Sequence, residues 1–194
     1  MSHSLARAPL FLVVLRAALA PIVIWLALRF PDPIGFGGCL TAAFLSDVFD
    51  GILARRLNVA TVALRRLDSA ADTLFYLATM FAAWHLYPEV VAEHAVALIV
   101  LASLEVVRYG VDIVKFRREA SYHMWSSKLW GLSLFAGFCA LLVFGHTGVL
   151  VALPIYIGIA ADLEGLAISL ALPEWRTDVP SLLHAFRILE IRRR

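Results

Sequence analysis

The sequence predicts an all-α, polytopic integral membrane protein with six transmembrane helices and a C-terminal interfacial amphipathic helix. Composition is the first reason: of 194 residues, 61% are hydrophobic and only 16% charged, against about 25% charged in an average soluble domain. The second reason is that apolar runs of about 20 residues, long enough to cross a hydrocarbon core, recur along nearly the whole chain. An outer-membrane barrel is excluded, because its strands would alternate in hydropathy at every second residue.

Turn residues and charge bound the predicted spans. Joints rich in proline or glycine follow the first, third and fifth spans, at 31–33, 88–89 and 145–148, and contain no Lys or Arg. The six spans predicted in this way are 9–29, 35–55, 69–87, 90–113, 127–145 and 149–172.

The first span resembles a signal peptide, because Arg7 precedes an apolar stretch. Arg16 and Pro21 interrupt that stretch, however, and no convincing cleavage site precedes the turn at 31–33. A retained transmembrane helix is therefore the favoured interpretation.

Basic residues lie at the opposite ends of the spans. The segments 55–66 and 115–128 join the second span to the third and the fourth to the fifth, and the tail after the sixth is rich in arginine. By the positive-inside rule this side is cytoplasmic, and an even number of spans puts both termini there. We therefore expect a multi-pass protein of the inner cell membrane.

The tail 178–194 is predicted to be an amphipathic helix on the inner leaflet, since it ends in three arginines and has one apolar face. That face consists of Val179, Leu182, Leu183, Phe186 and Leu189.

The chain is interpreted as a single domain, 1–194, because no repeat, linker or low-complexity tract interrupts it. Cys39 and Cys139 both fall inside predicted spans and form no disulfide framework. The formal net charge of +2 sums a basic cytoplasmic rim and a few acids in the spans, so no nucleic-acid partner is expected.

Four acidic residues occur where a lipid-facing helix would not carry them. Asp47 and Asp50 lie three residues apart at the inner end of the second span, so they share one helical face. Asp68 and Asp72, four apart, share a face at the inner start of the third span. Two adjacent antiparallel helices joined by the segment 56–67 would place the two pairs opposite each other at the cytoplasmic margin.

Four acids inside a membrane need compensating charge. Carboxylates without accompanying His or Cys favour Mg²⁺, Mn²⁺ or Ca²⁺ over zinc, and four of them balance two divalent ions, the usual clamp for attack at phosphorus. The neighbouring residues suit an anionic ligand. Gly51 leaves room for a phosphate against the helix, Ala54 keeps the next turn slim, and Arg55 offers a bidentate fork.

These residues resemble the signature of the CDP-alcohol phosphotransferase family, D-x2-D-G-x2-A-R-x8-G-x3-D-x3-D. The resemblance extends to the six spans, to the Arg16 and Pro21 pair, and to Ser127 and Lys128 opening the fifth span. One position departs, because the second glycine of the pattern falls at Leu64; this implies either a changed fit of the cytidine end or a locally different loop. The positions that match are Asp47, Asp50, Gly51, Ala54, Arg55, Asp68 and Asp72.

The resemblance implies attack of an alcohol on the β-phosphorus of a CDP-linked donor, most simply CDP-diacylglycerol, with release of CMP. It further implies two Mg²⁺ or Mn²⁺ ions, held by Asp47, Asp50 and Asp68, with Asp72 contributing to the second ion and acting as general base. The CDP donor would be bound by Asp47, Gly51, Ala54, Arg55 and Asp68. A homodimer is implied by the resemblance alone.

The acceptor alcohol is not fixed by the sequence. Arg108, Lys115 and Lys128 are candidates for a basic pocket that would favour a phosphorylated alcohol such as glycerol phosphate or inositol phosphate. Asp162 and Glu164 would instead suit an amino alcohol such as serine, ethanolamine or choline. Arg108 also has the spacing to form plain intrahelical salt bridges with acids on its own helix.

Two other classes compete with this interpretation. A divalent-cation transporter also keeps acids inside a helix bundle, but its site is usually near the midplane on broken helices in repeated halves. An Asp-rich membrane prenyltransferase shares the pyrophosphate chemistry, but it would be expected to have more spans than 194 residues accommodate.

Overall fold

The structure is a computed structural model that describes residues 8–57, 61–118 and 122–193. Within these ranges, the side chains of Ala54, Arg55, Val62, Arg65 and 191–193 are not described. The elements are helices, as the composition predicts. In chain order they are α1 (Ala8–Arg29), α2 (Pro33–Arg56), α3 (Val62–Leu86), α4 (Pro88–Glu93), α5 (Ala95–Phe116), α6 (Trp125–Phe138), a π-helical segment (Cys139–Val143), α7 (Val149–Ala171) and α8 (Leu182–Arg193).

Four helical stretches within the described residues are long and apolar enough to cross a membrane. They are Ala8–Arg29, Pro33–Leu53, Trp125–Val143 and Val149–Ala171. These support a helical membrane protein and match the first, second, fifth and sixth predicted spans. The helices α3 and α5 are long enough to cross a membrane, but their ionisable residues make them less apolar than these four stretches. The count of six spans therefore stays a prediction.

The third and fourth predicted spans differ most from the observed helices. The third span was expected to begin at residue 69, whereas α3 begins at Val62, because the Thr61 hydroxyl accepts a hydrogen bond from the Leu64 N–H at 3.1 Å and caps the helix. The fourth was expected to be continuous over 90–113, but the helix is interrupted at His94, which separates α4 from α5. The turn at 31–33 acts as predicted: the Asp32 carboxylate accepts from the Gly35 N–H at 2.7 Å at the start of α2.

The described residues divide into two compact units. The first comprises the chain up to Val91 together with Phe138–His146. In it, α1 packs against both α2 and α3, and α2 also packs against the π-helical segment. Its buried side chains include Val23 and Leu26 of α1, Phe36 and Leu40 of α2, and Phe75 of α3. Because α1 packs against both α2 and α3, its side chains can reach both acidic pairs.

The second unit comprises Ala92–Gly137 and the chain from Thr147 onward. Here α7 packs against α5 and α8. A buried hydrogen-bond chain links three segments of this unit, because Tyr122 Oη lies 3.0 Å from Ser169 Oγ, which donates to Asp112 Oδ1 at 2.5 Å. Burial raises the pKa of Tyr122 above its ordinary value.

The tail departs from the predicted arrangement in one respect. Helix α8 begins at Leu182, and the side chains that pack into the second unit are Val179, Leu182, Ala185 and Ile188, around Tyr122, Met124, Ile168 and Leu172. The predicted lipid-facing set therefore mixes two faces: Val179 is buried within the protein, whereas Leu183 and Phe186 are exposed. Ala185, which the apolar pattern passed over, is fully buried in this cluster.

Candidate active site

The C-terminal end of α2 carries three polar side chains on one face. Ser46 and Asp50, one turn apart, are buried, while Asp47 beside them is about half exposed. The Ser46 hydroxyl donates to the Ala43 carbonyl at 2.7 Å, which satisfies it within the helix. This end of α2 thus presents one buried and one half-exposed carboxylate.

The first turns of α3 carry the other two acids. Because Thr61 starts the helix seven residues before Asp68, both Asp68 and Asp72 lie in regular helix, and each side chain is about one-third exposed. Their four-residue spacing puts them on one face, as predicted.

The structure brings the acids of the two helices together. Single carboxylate oxygens of Asp47, Asp50 and Asp68 lie within 4.8 Å of one another. Asp72 is joined to them through a shared partner, the guanidinium of Arg16.

Arg16 was singled out in the sequence only as an interruption of the first span and as part of the family resemblance. It lies inside α1 and is 1% exposed. Its Nη1 pairs with Asp47 at 3.3 Å, with Asp68 at 3.1 Å and with Asp72, while its Nη2 pairs with Asp50. Its Nε donates to Ser46 Oγ at 3.3 Å. One guanidinium thus contacts all four predicted acids.

The signal for Arg16 was present in the sequence, since an ionisable residue within an apolar span normally faces a partner of opposite charge. Ser46 was missed altogether. It lies three residues after Ala43 and four before Asp50, on the same helical face, and this spacing is the signal that could have found it.

The donor set fits a hard divalent cation. Three carboxylate oxygens from two helices lie within the span of one coordination sphere, in which opposite oxygens are roughly 4 to 5 Å apart for Mg²⁺ or Ca²⁺. No His or Cys belongs to the group formed by the described residues. The charge of the site also favours a cation, because one guanidinium among four carboxylates leaves three negative charges to be balanced.

Comparison with known protein families gives a match over residues 6–171 to the family model described as CDP-alcohol phosphatidyltransferase. The chain belongs to the CDP-alcohol phosphatidyltransferase family. Searches of curated proteins and of solved structures found no match. Membership of this family makes the chain a phosphotransferase by class. The matched residues include all four acids and Arg16.

The other signature positions of this phosphatidyltransferase chain lie on the same two helices. Gly51 follows Asp50 in α2 and is half-buried. The predicted contributions of the Ala54 and Arg55 side chains fall outside the described residues. Leu64, which replaces the second glycine, is half-buried in the first turn of α3 and not in a loop, and it is not among the described residues with positive φ.

The three candidate acceptor residues of the phosphatidyltransferase all lie in the second unit, each with a partner of its own. Arg108 pairs with Glu105 at 2.7 Å and with the buried Asp162 at 3.2 Å. Lys115 donates to the carbonyls of Ser169 and Leu170, at 2.9 and 2.8 Å, where α7 ends. Their role toward an acceptor stays a prediction.

Lys128, the third candidate, lies over the Trp125 ring, with its Nζ 4.3 Å from the ring centroid. Glu164, considered as a contact for an amino alcohol, accepts from the Ser126 hydroxyl at 2.6 Å and from the Leu182 N–H at 3.1 Å, and its role toward an acceptor stays a prediction. Glu164 therefore binds the first residue of α8.

Proposed function

We propose that this phosphatidyltransferase uses CDP-diacylglycerol as its donor and a small alcohol as its acceptor, releasing CMP in phospholipid biosynthesis. The observation that carries the proposal is the cluster of four carboxylates, drawn from α2 and α3, around one guanidinium of α1. Its uncompensated negative charge suits a site that works with Mg²⁺ or Mn²⁺ on a pyrophosphate.

Each acid has a distinct proposed role. Asp47, Asp50 and Asp68 hold the divalent ions, and Asp72 contributes to the second ion. When bound, the two ions supply charge neutralisation of the donor pyrophosphate and of the leaving CMP. Asp47 and Asp68, with Gly51, Ala54 and Arg55, line the CDP end of the donor.

Asp72 is the proposed general base. It accepts the proton of the acceptor hydroxyl as the alcohol oxygen bonds to the β-phosphorus and the bond from that phosphorus to the CMP oxygen breaks. Its position one turn beyond Asp68 supports this division, because the group of oxygens within 4.8 Å of one another comes from Asp47, Asp50 and Asp68 and does not include Asp72.

The membrane setting fits a lipid donor. We propose six spans, with α3 and α5 added to the four apolar ones, and both termini and the acidic site on the cytoplasmic side of the inner membrane. A diacylglycerol-bearing donor then keeps its acyl chains in lipid and presents its headgroup at the interface. A single catalytic domain, 1–194, and a homodimer complete the proposal.

Purified protein supplied with CDP-diacylglycerol, Mn²⁺ or Mg²⁺ and a panel of alcohols tests the proposal, with CMP release as the readout. Turnover with glycerol phosphate or inositol phosphate would support Arg108, Lys115 and Lys128 as acceptor residues. Turnover with serine, ethanolamine or choline would instead support Asp162 and Glu164 as acceptor residues. No CMP release with any alcohol, from folded protein that binds the donor, would contradict the proposed acceptor class.

A divalent-cation transporter is the alternative from another functional class. Thermal unfolding separates the two: if CDP-diacylglycerol or CMP raises the melting temperature only with a divalent ion present, the enzyme is supported. A rise produced by the ion alone, with no further effect of CMP or of the donor, would favour the transporter.

A further inference from the structure

Arg16 occupies the electrostatic centre of the acidic site. All four acids offer one oxygen each to its guanidinium. Ser46 fixes the inner end of that guanidinium through Nε. With 1% of the residue exposed, the charge is held away from solvent and directed wholly at these carboxylates.

A guanidinium and a divalent cation compete for the same atoms. Both bind through carboxylate lone pairs, and a positive charge a few ångströms from a cation site also repels the cation directly. This repulsion is stronger inside a protein than in bulk water, because the effective dielectric constant there is lower. Arg16 therefore has the contacts to oppose metal binding as well as to stabilise the acids.

We propose that Arg16 is an internal counter-ion that neutralises part of the acidic site before metal binds, and that it weakens divalent-metal affinity by competing for the carboxylates. The inference rests on the proposed metal-binding role of the four acids. Its consequence is a metal site that is preformed but only moderately tight, because the guanidinium must withdraw from some acids as the ions bind.

The test measures Mn²⁺ binding directly on the purified full-length protein, by the loss of the electron paramagnetic resonance signal of free Mn²⁺, in the absence of donor. Arg16→Gln removes the charge and is expected to bind Mn²⁺ at least about tenfold more tightly than wild type. Arg16→Lys keeps a charge without the fork and should fall between the two. Arg29→Gln, at the exposed end of the same helix, is the matched control and should bind as wild type does.

A second variant covers the case in which Arg16→Gln does not fold. Ser46→Ala removes the Nε anchor while leaving Arg16 and every acid in place, so Mn²⁺ affinity should rise by a smaller factor. Thermal unfolding adds a further readout: in chelator Arg16→Gln should melt below wild type, and saturating Mn²⁺ should raise its melting temperature more.

The outcomes separate this inference from the proposed function. If wild type binds Mn²⁺, and the folded variants among Arg16→Gln and Ser46→Ala bind it equally or more weakly, the counter-ion role is wrong and the metal site stands. If neither wild type nor any folded variant binds Mn²⁺, the proposed metal site itself is wrong.

Discussion

Asp72 contacts Arg16 and is not one of the three acids whose oxygens lie within 4.8 Å of one another, and the proposed base catalysis depends on it. Asp72→Asn preserves shape but cannot accept the acceptor proton. We expect CMP release to fall by roughly 10²–10⁴-fold, effectively abolishing turnover, with binding of the CDP donor largely retained. The measurements are the rate of CMP release and the donor-induced shift in melting temperature.

Glu89→Gln provides the control for the Asp72 experiment, because Glu89 is exposed at the start of α4. Its turnover should equal that of wild type. Normal turnover in Asp72→Asn would remove Asp72 from the base role while leaving the other three acids in place.

Leu64 is the one departure from the family pattern, and its backbone is ordinary helix. Leu64→Gly should preserve or improve affinity for the CDP donor, because it restores the small residue of the pattern. The melting temperature should fall slightly, since glycine costs about 1 kcal/mol in a helix. Donor titration followed by thermal unfolding measures both effects. A large loss of donor affinity would show that Leu64 is an adapted part of the site.

For single residues, the sequence is enough to predict the four acids of the site and their spacing, but not the side chain that contacts them. The four acids stand out because intramembrane carboxylates are costly, and i,i+3 and i,i+4 spacing places each pair on one face. The contact with Arg16 depends on which helix packs between the others. Such packing leaves no periodic signature, so the sequence indicates that Arg16 needs a partner of opposite charge but not which acids it contacts.

Among the helices, α6 approaches the start of α7 closely at one residue, Gly137. A Cβ added at Gly137 would lie 2.9 Å from the Leu150 carbonyl oxygen and 2.9 Å from Pro154 Cγ, both in α7. Neither atom is the end of a flexible side chain. We expect Gly137→Ala to lower the free energy of unfolding by about 1–3 kcal/mol, as overpacking usually does.

Gly131→Ala is the matched control on α6, since a Cβ there meets nothing within 4 Å. Thermal unfolding in detergent should show a lower melting temperature for Gly137→Ala and an unchanged or higher one for Gly131→Ala. Equal melting temperatures would contradict the close approach of the two helices.

The helices also show which features of the sequence were enough to predict where a helix begins and ends. Turn residues located the ends of α1 and α2 to within about two residues. The start of α3 was missed because Thr61 caps a turn that is too charged to be read as part of a span. In α8 the apolar pattern indicated an amphipathic helix, but it could not say that Ala185 rather than a larger residue faces α7.

For the whole molecule, the number of transmembrane helices depends on whether α3 and α5 cross the membrane. Four are apolar enough by themselves, whereas α3 carries Asp68 and Asp72 and α5 carries Glu105, Arg108 and Asp112. Composition alone underrates a span whose charges are paired inside the protein, as the Arg108 ion pairs with Glu105 and Asp162 illustrate. Six spans and four spans agree on the orientation of both termini, so terminal tags cannot distinguish them.

The joint between α3 and α4 does distinguish them. With six spans Glu89 lies outside; if α3 and α5 do not cross, the whole segment between α2 and α6 stays on the cytoplasmic side and Glu89 lies inside. In a protein whose Cys39 and Cys139 are replaced by serine, we expect Glu89→Cys to react with a membrane-impermeant maleimide in intact cells. His146→Cys should react under either topology and Arg176→Cys under neither, so the two calibrate the assay. Labelling of Glu89→Cys only after permeabilisation, at the level of Arg176→Cys, would establish four spans and put α3, with Asp68 and Asp72, on the cytoplasmic face instead of across the bilayer.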